Sequence, residues 1–222
     1  MPKIEFRSDM RVTYVDHMGD DKRIAQAARV STGNDQSDRP HEGLVRRLWR
    51  DRHTSTFEHN TLTVMAEVPI FVAREWHRHR TFAYNEISGR YTELEPAFYV
   101  PSEDRPLVQT GKAMDYKRES GSELQRDRVV SHHRVAASAG WNAYCELLSY
   151  GVAREVARDV LPASLFTRFY ATANLRNWLH FVELRTDPTA LWEIRQAANQ
   201  VEAIIARLWP VAHAAYREGA ES

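Results

Sequence analysis

Cysteine is almost absent from this chain: Cys145 is the single thiol among 222 residues. One thiol cannot form a disulfide within the chain, and it cannot supply a cluster of thiolate metal ligands. A catalytic thiolate needs a neighbouring base or cation, which the residues next to Cys145 in the sequence do not provide. We therefore expect Cys145 to be a buried apolar side chain that takes no part in catalysis.

Net charge and long apolar runs are also absent. The 30 Lys and Arg residues balance the 30 Asp and Glu residues, whereas general nucleic-acid and membrane binders are usually basic. No apolar run reaches the length of a membrane span, and the N-terminal residues lack the apolar core of a signal peptide. We therefore expect a cytoplasmic protein that binds neither nucleic acid nor membranes.

The length and the hydrophobic fraction of 43% predict one large domain over residues 1–222. Apolar residues recur at helical spacing through residues 122–150 and 174–185 and alternate through residues 3–15 and 60–68. Strands scattered among long helices predict an α+β fold. A helix is also predicted from Pro69 to about Arg80, and residues 102–121 are predicted to be a polar connecting segment.

One stretch, from Arg74 to Tyr91, is dense in basic and aromatic residues. Its basic residues are Arg74, Arg78, Arg80 and Arg90, with His77 and His79 among them, and its aromatic residues are Trp76, Phe82, Tyr84 and Tyr91. A guanidinium pairs with phosphate through two parallel hydrogen bonds, and clustered cations are costly to bury unless they meet an anion. The stretch therefore predicts a site for ligands that carry both a phosphate and a ring.

Two other groups of residues carry side chains that bind metals or anions in proteins. His77 and His79 form an H-x-H pair, but the adjacent arginines repel a cation and no carboxylate cluster accompanies them, so no metal site is expected. A later basic group has the potential to extend the anion site, and a helix N-terminus near Asn174 suits a phosphate. That group contains Arg158, Asn174, Arg176, His180 and Arg185.

The pattern from Arg78 to Tyr91 resembles the signature of the flavin-dependent thymidylate synthases, R-H-R-x-x-S-x-N-E-x-S-x-R-Y. The chain matches it at Arg78, His79, Arg80, Asn85, Glu86, Ser88, Arg90 and Tyr91. It departs at Ala83, where the family usually has Ser, and it has Glu75 where many members have Gln. Further matches lie at 28–31, 53–59, 69–74, 161–162, 174–176 and 184–185, so the resemblance covers most of the chain.

The resemblance implies a central, mostly antiparallel sheet flanked by long helices, and a homotetramer with active sites at subunit interfaces. It implies FAD as cofactor, dUMP as substrate, and NADPH and 5,10-methylenetetrahydrofolate as co-substrates. The residues that it places on FAD are Ser55, Arg78, His79, Arg80, Glu86, Asn174, Arg176 and His180. Those that it places on dUMP are Glu75, Arg78, Ser88, Gly89, Arg90, Arg158 and Arg185.

The resemblance also implies a mechanism without a cysteine nucleophile, in which flavin carries the redox chemistry. Arg185, Ser88 and His53 are the implied catalytic residues. Arg185 favours ionisation of the uracil at N3, and its role is electrostatic because a guanidinium is too basic to act as an ordinary base. Ser88 positions the ligand, and His53 lies near the flavin or the folate.

Two alternatives remain open from the sequence. The Arg- and aromatic-rich stretch also suits an RNA- or single-strand-binding module, although the neutral net charge argues against it. A flavoprotein of the same fold without turnover is the other alternative, and it depends on the departures at Glu75 and Ala83.

Overall fold

The computed structural model describes residues 3–34, 39–112 and 115–220. The strands are β1 (Glu5–Arg7), β2 (Arg11–Met18), β3 (Thr61–Pro69), β4 (Ala83–Glu86), β5 (Ala97–Tyr99), β6 (Val108–Lys112), β7 (Asp115–Glu119) and β8 (Phe166–Asn174). The α-helices are α1 (Asp21–Arg29), α2 (Glu42–Arg50), α3 (Ile70–Trp76), α4 (Glu123–Ser149), α5 (Arg154–Ala157), α6 (Leu175–Thr186), α7 (Trp192–Leu208) and α8 (Pro210–Ala220). Short 3-10 helices occupy Val30–Thr32, Thr54–His59 and Arg158–Val160.

The largest sheet has four strands in the order β2-β3-β8-β4. Strands β1 and β5 form a separate parallel pair, and β6 and β7 form an antiparallel hairpin. The prediction of an α+β fold with long helices and a mostly antiparallel sheet is confirmed. None of the helices in the described ranges is long and apolar enough to cross a membrane.

The chain separates into two compact units. The first unit contains the chain up to Met10, Glu67–Arg74 and Glu86–Arg168, and the second contains Arg11–Ala66, Glu75–Asn85 and the chain from Phe169 onward. The single domain expected from the sequence stays a prediction.

The first unit is built around the long helix α4. Ser122 caps its N-terminus in a capping box with Gln125, which satisfies backbone N–H groups that have no partner within the helix. Ala137, Trp141 and Tyr144 recur at intervals of four and three residues, so they share one buried face of α4. Phe98, Ala157 and Leu165 complete this core.

The core of the second unit is aromatic. Helix α6 buries Trp178 and Phe181 on one face, because residues three and four apart lie on the same side of a helix. Trp76 packs between them and Phe169, with ring centroids 4.7 Å from Phe181 and 5.4 Å from Phe169. The Trp178 indole N–H also donates to the Leu62 carbonyl oxygen at 2.9 Å.

Two local predictions were wrong. Helix α3 ends at Trp76 rather than near Arg80, and the chain then turns, with the His79 N–H donating to the Trp76 carbonyl oxygen at 3.0 Å. A hydrogen bond between residues three apart belongs to a tight turn, and the Tyr84 hydroxyl holds this turn at 2.9 Å from the Trp76 carbonyl oxygen and 3.1 Å from that of His79. The polar segment 102–121 contains the β6–β7 hairpin. Its strands have few apolar residues, so the sequence shows no apolar alternation from which they could be predicted.

Candidate active site

Arg185 is held by three hydrogen bonds within the second unit. It lies in the last turn of α6, and its side chain is only 15% exposed. Its Nε donates to His79 Nε2 at 2.9 Å, its Nη1 to Glu75 Oε2 at 3.0 Å, and its Nη2 to the Glu75 carbonyl oxygen at 2.9 Å. We call Glu75, His79 and Arg185 the Arg185 cluster. A guanidinium carries five N–H donors, so this cluster fixes its orientation and still leaves donors for a ligand.

The hydrogen bond from Arg185 determines the state of His79. Because Nε2 accepts a hydrogen bond, the imidazole is neutral and carries its proton on Nδ1. Burial, followed by the positive charges of Arg185 and His180, lowers the pKa of His79 from 6.5 to about 4. At neutral pH His79 is therefore an uncharged acceptor that orients Arg185 without adding a further positive charge.

The low pKa of His79 makes stability depend on pH. The unfolded chain takes up this proton near pH 6.5, but the folded chain takes it up only near pH 4. The stabilisation is therefore complete above pH 6.5 and is lost as the pH falls towards 4. We expect the free energy of unfolding in urea to fall by about 2 kcal/mol more between pH 7 and 4.5 in the wild type than in His79→Gln, whose amide oxygen can still accept from Arg185. Equal pH dependence in the two proteins would contradict this assignment.

Glu75 was expected to contact the nucleotide, and the structure shows its carboxylate against arginines. Its Oε2 lies 3.0 Å from Arg185 Nη1 and 3.5 Å from Arg78 Nη1. An ionised carboxylate only accepts hydrogen bonds, so Glu75 is suited to orienting these two guanidinium groups. The Arg78 side chain remains 72% exposed, and Arg80 is also exposed. Both keep donors available for an anion.

The later basic residues have individual partners in the second unit. Asn174 caps α6, with its Oδ1 accepting from the Asn177 N–H at 3.0 Å. Arg176 pairs with Glu58 at 2.5 Å, and His180 Nδ1 lies 3.5 Å from a Glu183 carboxylate oxygen. The His180 ring is 6.3 Å from that of His79. The His180 side chain on α6 therefore lies near His79 of the Arg185 cluster.

Arg176 and His180 line one cleft of about 520 Å³, which we call the Arg52 cleft. Its other lining residues are Trp49, Arg50, Arg52, Thr54, Asn177, Glu183, Tyr216 and Gly219. Sequence reasoning did not single out Arg50, Arg52 and Thr54. The signal available was their position, since Thr54 lies within the 53–59 motif and the two arginines lie just before it. His53 and Ser55 are exposed on this same segment, which the buried ring of Phe57 anchors.

A second group of predicted residues lies together in the first unit. The Arg90 backbone N–H donates to Ser88 Oγ at 3.3 Å, and Arg90 Nε pairs with a Glu155 carboxylate oxygen at 2.7 Å. Gly89 is buried against Arg158, and a Cβ at position 89 would lie 3.1 Å from Arg158 Cδ. The chain thus brings the Ser88 hydroxyl, the Arg90 guanidinium and the Arg158 side chain close to Gly89. Glu86, predicted to touch FAD, accepts a hydrogen bond from the Thr167 hydroxyl.

Cys145 is partly buried in α4. Burial raises the pKa of its thiol, so the thiol is protonated at neutral pH. This agrees with the expectation of an inert side chain. Among the described residues, no group of His, Cys, Asp and Glu side chains is arranged to hold a metal ion.

Comparison with known proteins identifies the family. The family model "Thymidylate synthase complementing protein" matches residues 13–211. The flavin-dependent thymidylate synthase of Streptomyces avermitilis is 43% identical, over 96% of this chain and 93% of the relative. The flavin-dependent thymidylate synthase of Thermus thermophilus is 44% identical, over 93% of this chain and 75% of the relative.

A solved structure is similar in both sequence and fold. The UMP/dUMP methylase PolB from Streptomyces cacaoi, bound with 5-Br UMP, has a TM-score of 0.92 and 42% identity. The match covers 98% of this chain and 97% of PolB. The family model and these similarities lead to one conclusion: the chain belongs to the family of flavin-dependent thymidylate synthases, which are methyltransferases.

Proposed function

We propose that this enzyme methylates dUMP to dTMP, with 5,10-methylenetetrahydrofolate as carbon donor and NADPH as the source of reducing equivalents for FAD. The observation that carries the proposal is the fixed guanidinium of Arg185, which is held by Glu75 and His79 and keeps unused donors. Family membership and the similarity to PolB, which is a UMP/dUMP methylase, support dUMP as the substrate.

The described residues fit a flavin dinucleotide. Its diphosphate is anionic, and the Arg52 cleft contains Arg50, Arg52, Arg176 and His180. We assign FAD to Ser55, Arg78, His79, Arg80, Glu86, Asn174, Arg176 and His180. When bound in its reduced form, the flavin would supply the hydride that completes the methyl group, and these residues would hold it. The proposal also includes NADPH and folate as co-substrates. It further includes a single catalytic domain, a homotetramer with active sites at subunit interfaces, and a cytoplasmic location.

The protein's own contribution is positioning and charge. The guanidinium of Arg185 stabilises the anion that forms when uracil loses its N3 proton, and this raises the electron density at C5. Neutral His79 and ionised Glu75 keep that guanidinium in one orientation. Ser88, Gly89, Arg90 and Arg158 bind the nucleotide, with the arginines pairing with its phosphate. His53 lies near the flavin or the folate.

A turnover assay tests the proposal. Purified enzyme incubated with dUMP, 5,10-methylenetetrahydrofolate, FAD and NADPH is expected to form dTMP, measured by chromatography. Omission of the folate or the reductant is expected to abolish the product. An intact protein that binds flavin and dUMP but forms no dTMP would instead establish a flavoprotein without turnover. Binding of an oligonucleotide that dUMP does not displace would favour a single-strand-binding module.

Gly89 provides a test of the nucleotide site. In Gly89→Ala the new Cβ would lie 3.1 Å from both Arg158 Cδ and Leu94 Cδ1, so Arg158 must move. We expect the Kd for dUMP, measured by calorimetry, to rise about tenfold, which corresponds to about 1.4 kcal/mol. Gly43→Ala is the matched control, because nothing lies within 4 Å of a Cβ at that helical position. Equal dUMP affinity in both variants would exclude Gly89 and Arg158 from the nucleotide site.

A further inference from the structure

The C-terminus of α2 carries an arginine where glycine is normally preferred. The His53 N–H donates to the Leu48 carbonyl oxygen at 2.8 Å, and the Arg52 N–H donates to the Trp49 carbonyl oxygen at 3.0 Å. These bonds form a Schellman motif, whose left-handed position favours glycine. Arg52 occupies that position with φ of 58°, the single positive φ of a non-glycine residue in the described ranges. A backbone outlier of this kind calls for a functional reason.

The surroundings of Arg52 supply such a reason. It lines the Arg52 cleft, where Arg50 pairs with Asp51 and Arg176 pairs with Glu58. His180 lies beside Glu183, which contributes a negative charge to the same cleft. The Arg52 side chain has no hydrogen-bond or ion-pair partner within the parts of the chain that the structure describes. It is therefore a cation of the cleft whose full set of donors is available to a ligand.

We infer that Arg52 binds a phosphate group of a dinucleotide whose ADP half occupies this cleft. A volume of about 520 Å³ is within the range of small-molecule sites. The guanidinium fork suits a phosphate better than a carboxylate of this chain, since the nearby carboxylates already have basic partners. The inference rests on the proposed function for the identity of the dinucleotide, because FAD and NADPH both contain an ADP half.

The substitution Arg52→Gly separates folding from binding. Glycine adopts the left-handed conformation without a steric penalty, so the urea midpoint of unfolding is expected to stay equal or to rise. The lost guanidinium is expected to raise the calorimetric Kd for ADP about tenfold. The Kd for FAD or for NADPH is expected to rise by a similar factor, while riboflavin, which lacks phosphate, is expected to bind as it does to the wild type.

Two matched variants serve as controls for the Arg52→Gly measurement. Arg47→Gln removes one positive charge from the same helix, but Arg47 pairs with Asp51 and does not line the cleft, so its ADP affinity is expected to match the wild type. Arg52→Lys keeps the charge without the fork and is expected to fall between wild type and Arg52→Gly. A selective loss of FAD affinity places the flavin in the cleft, and a selective loss of NADPH affinity places the nicotinamide dinucleotide there.

Two results would overturn the inference. The first is an Arg52→Gly variant that binds ADP, FAD and NADPH as tightly as the wild type, and the second is a wild type that binds none of the three. The proposed function fails separately. A wild type that binds ADP through Arg52 but forms no dTMP would keep this site and remove the thymidylate synthase assignment.

Discussion

Replacing Arg185 with alanine is expected to lower the kcat for dTMP formation by about a hundredfold to a thousandfold. Its guanidinium is the cation that Glu75 and His79 hold in one orientation. Its removal takes away the charge that stabilises the uracil anion, which is an effect on the transition state more than on ground-state binding. The check is single-turnover formation of dTMP together with the Kd for dUMP, so that chemistry and binding are separated.

Two further variants define the role of that charge. Arg185→Lys retains a positive charge, but an ammonium cannot reach Glu75 Oε2, the Glu75 carbonyl oxygen and His79 in the same planar arrangement. We expect its kcat to lie between those of the wild type and Arg185→Ala. Cys145→Ala is expected to retain wild-type activity, because the thiol is protonated and lies in α4. A folded Cys145→Ala protein without activity would refute a mechanism that needs no thiolate.

Replacing Trp76 with alanine is expected to reduce the free energy of unfolding by about 3–5 kcal/mol. Trp76 is fully buried, and its ring contacts Phe169, Trp178 and Phe181. An alanine leaves a cavity that these rings can fill only by leaving their present packing. Urea denaturation of the purified variant at neutral pH measures the loss. Because Trp76 lies between Glu75 and the turn to His79, we also expect weaker flavin binding.

Trp76→Phe is the control for this prediction. The Trp76 indole nitrogen has no hydrogen-bond partner among the described residues, so phenylalanine removes volume but no hydrogen bond. Its cost is expected to be about 1–2 kcal/mol, clearly below that of alanine. If both substitutions cost less than about 1 kcal/mol, the aromatic core of the second unit would not be the source of stability described above.

Local sequence patterns were sufficient for much of the fold. Asn174 as the start of α6 and Ser122 as the start of α4 follow from short-range capping and apolar periodicity. The end of α3 did not follow, since the turn after it is held by the Tyr84 hydroxyl, eight residues away from Trp76. The hairpin of β6 and β7 also escaped, because two exposed polar strands have little apolar alternation to detect.

In the candidate site, too, the sequence identified individual residues but not the contacts between distant ones. The family resemblance gave Glu75, His79 and Arg185 as separate ligand contacts, but it could not reveal that they bind one another, because Glu75 and Arg185 are 110 positions apart in the sequence. Arg52 carried no signal beyond its position next to the 53–59 motif: its left-handed backbone is set by the end of α2, and only the structure places its side chain in a cleft. Such pairings depend on the tertiary fold.

The visible absorption spectrum of the purified protein, recorded with and without dUMP, tests the central claim most directly. We predict a yellow protein, either as isolated or after reconstitution with FAD, whose flavin bands change when dUMP is added. In Arg185→Ala the flavin bands are expected to remain, and their response to dUMP is expected to be weaker. A colourless wild-type protein that binds neither FAD nor dUMP after reconstitution would contradict the account.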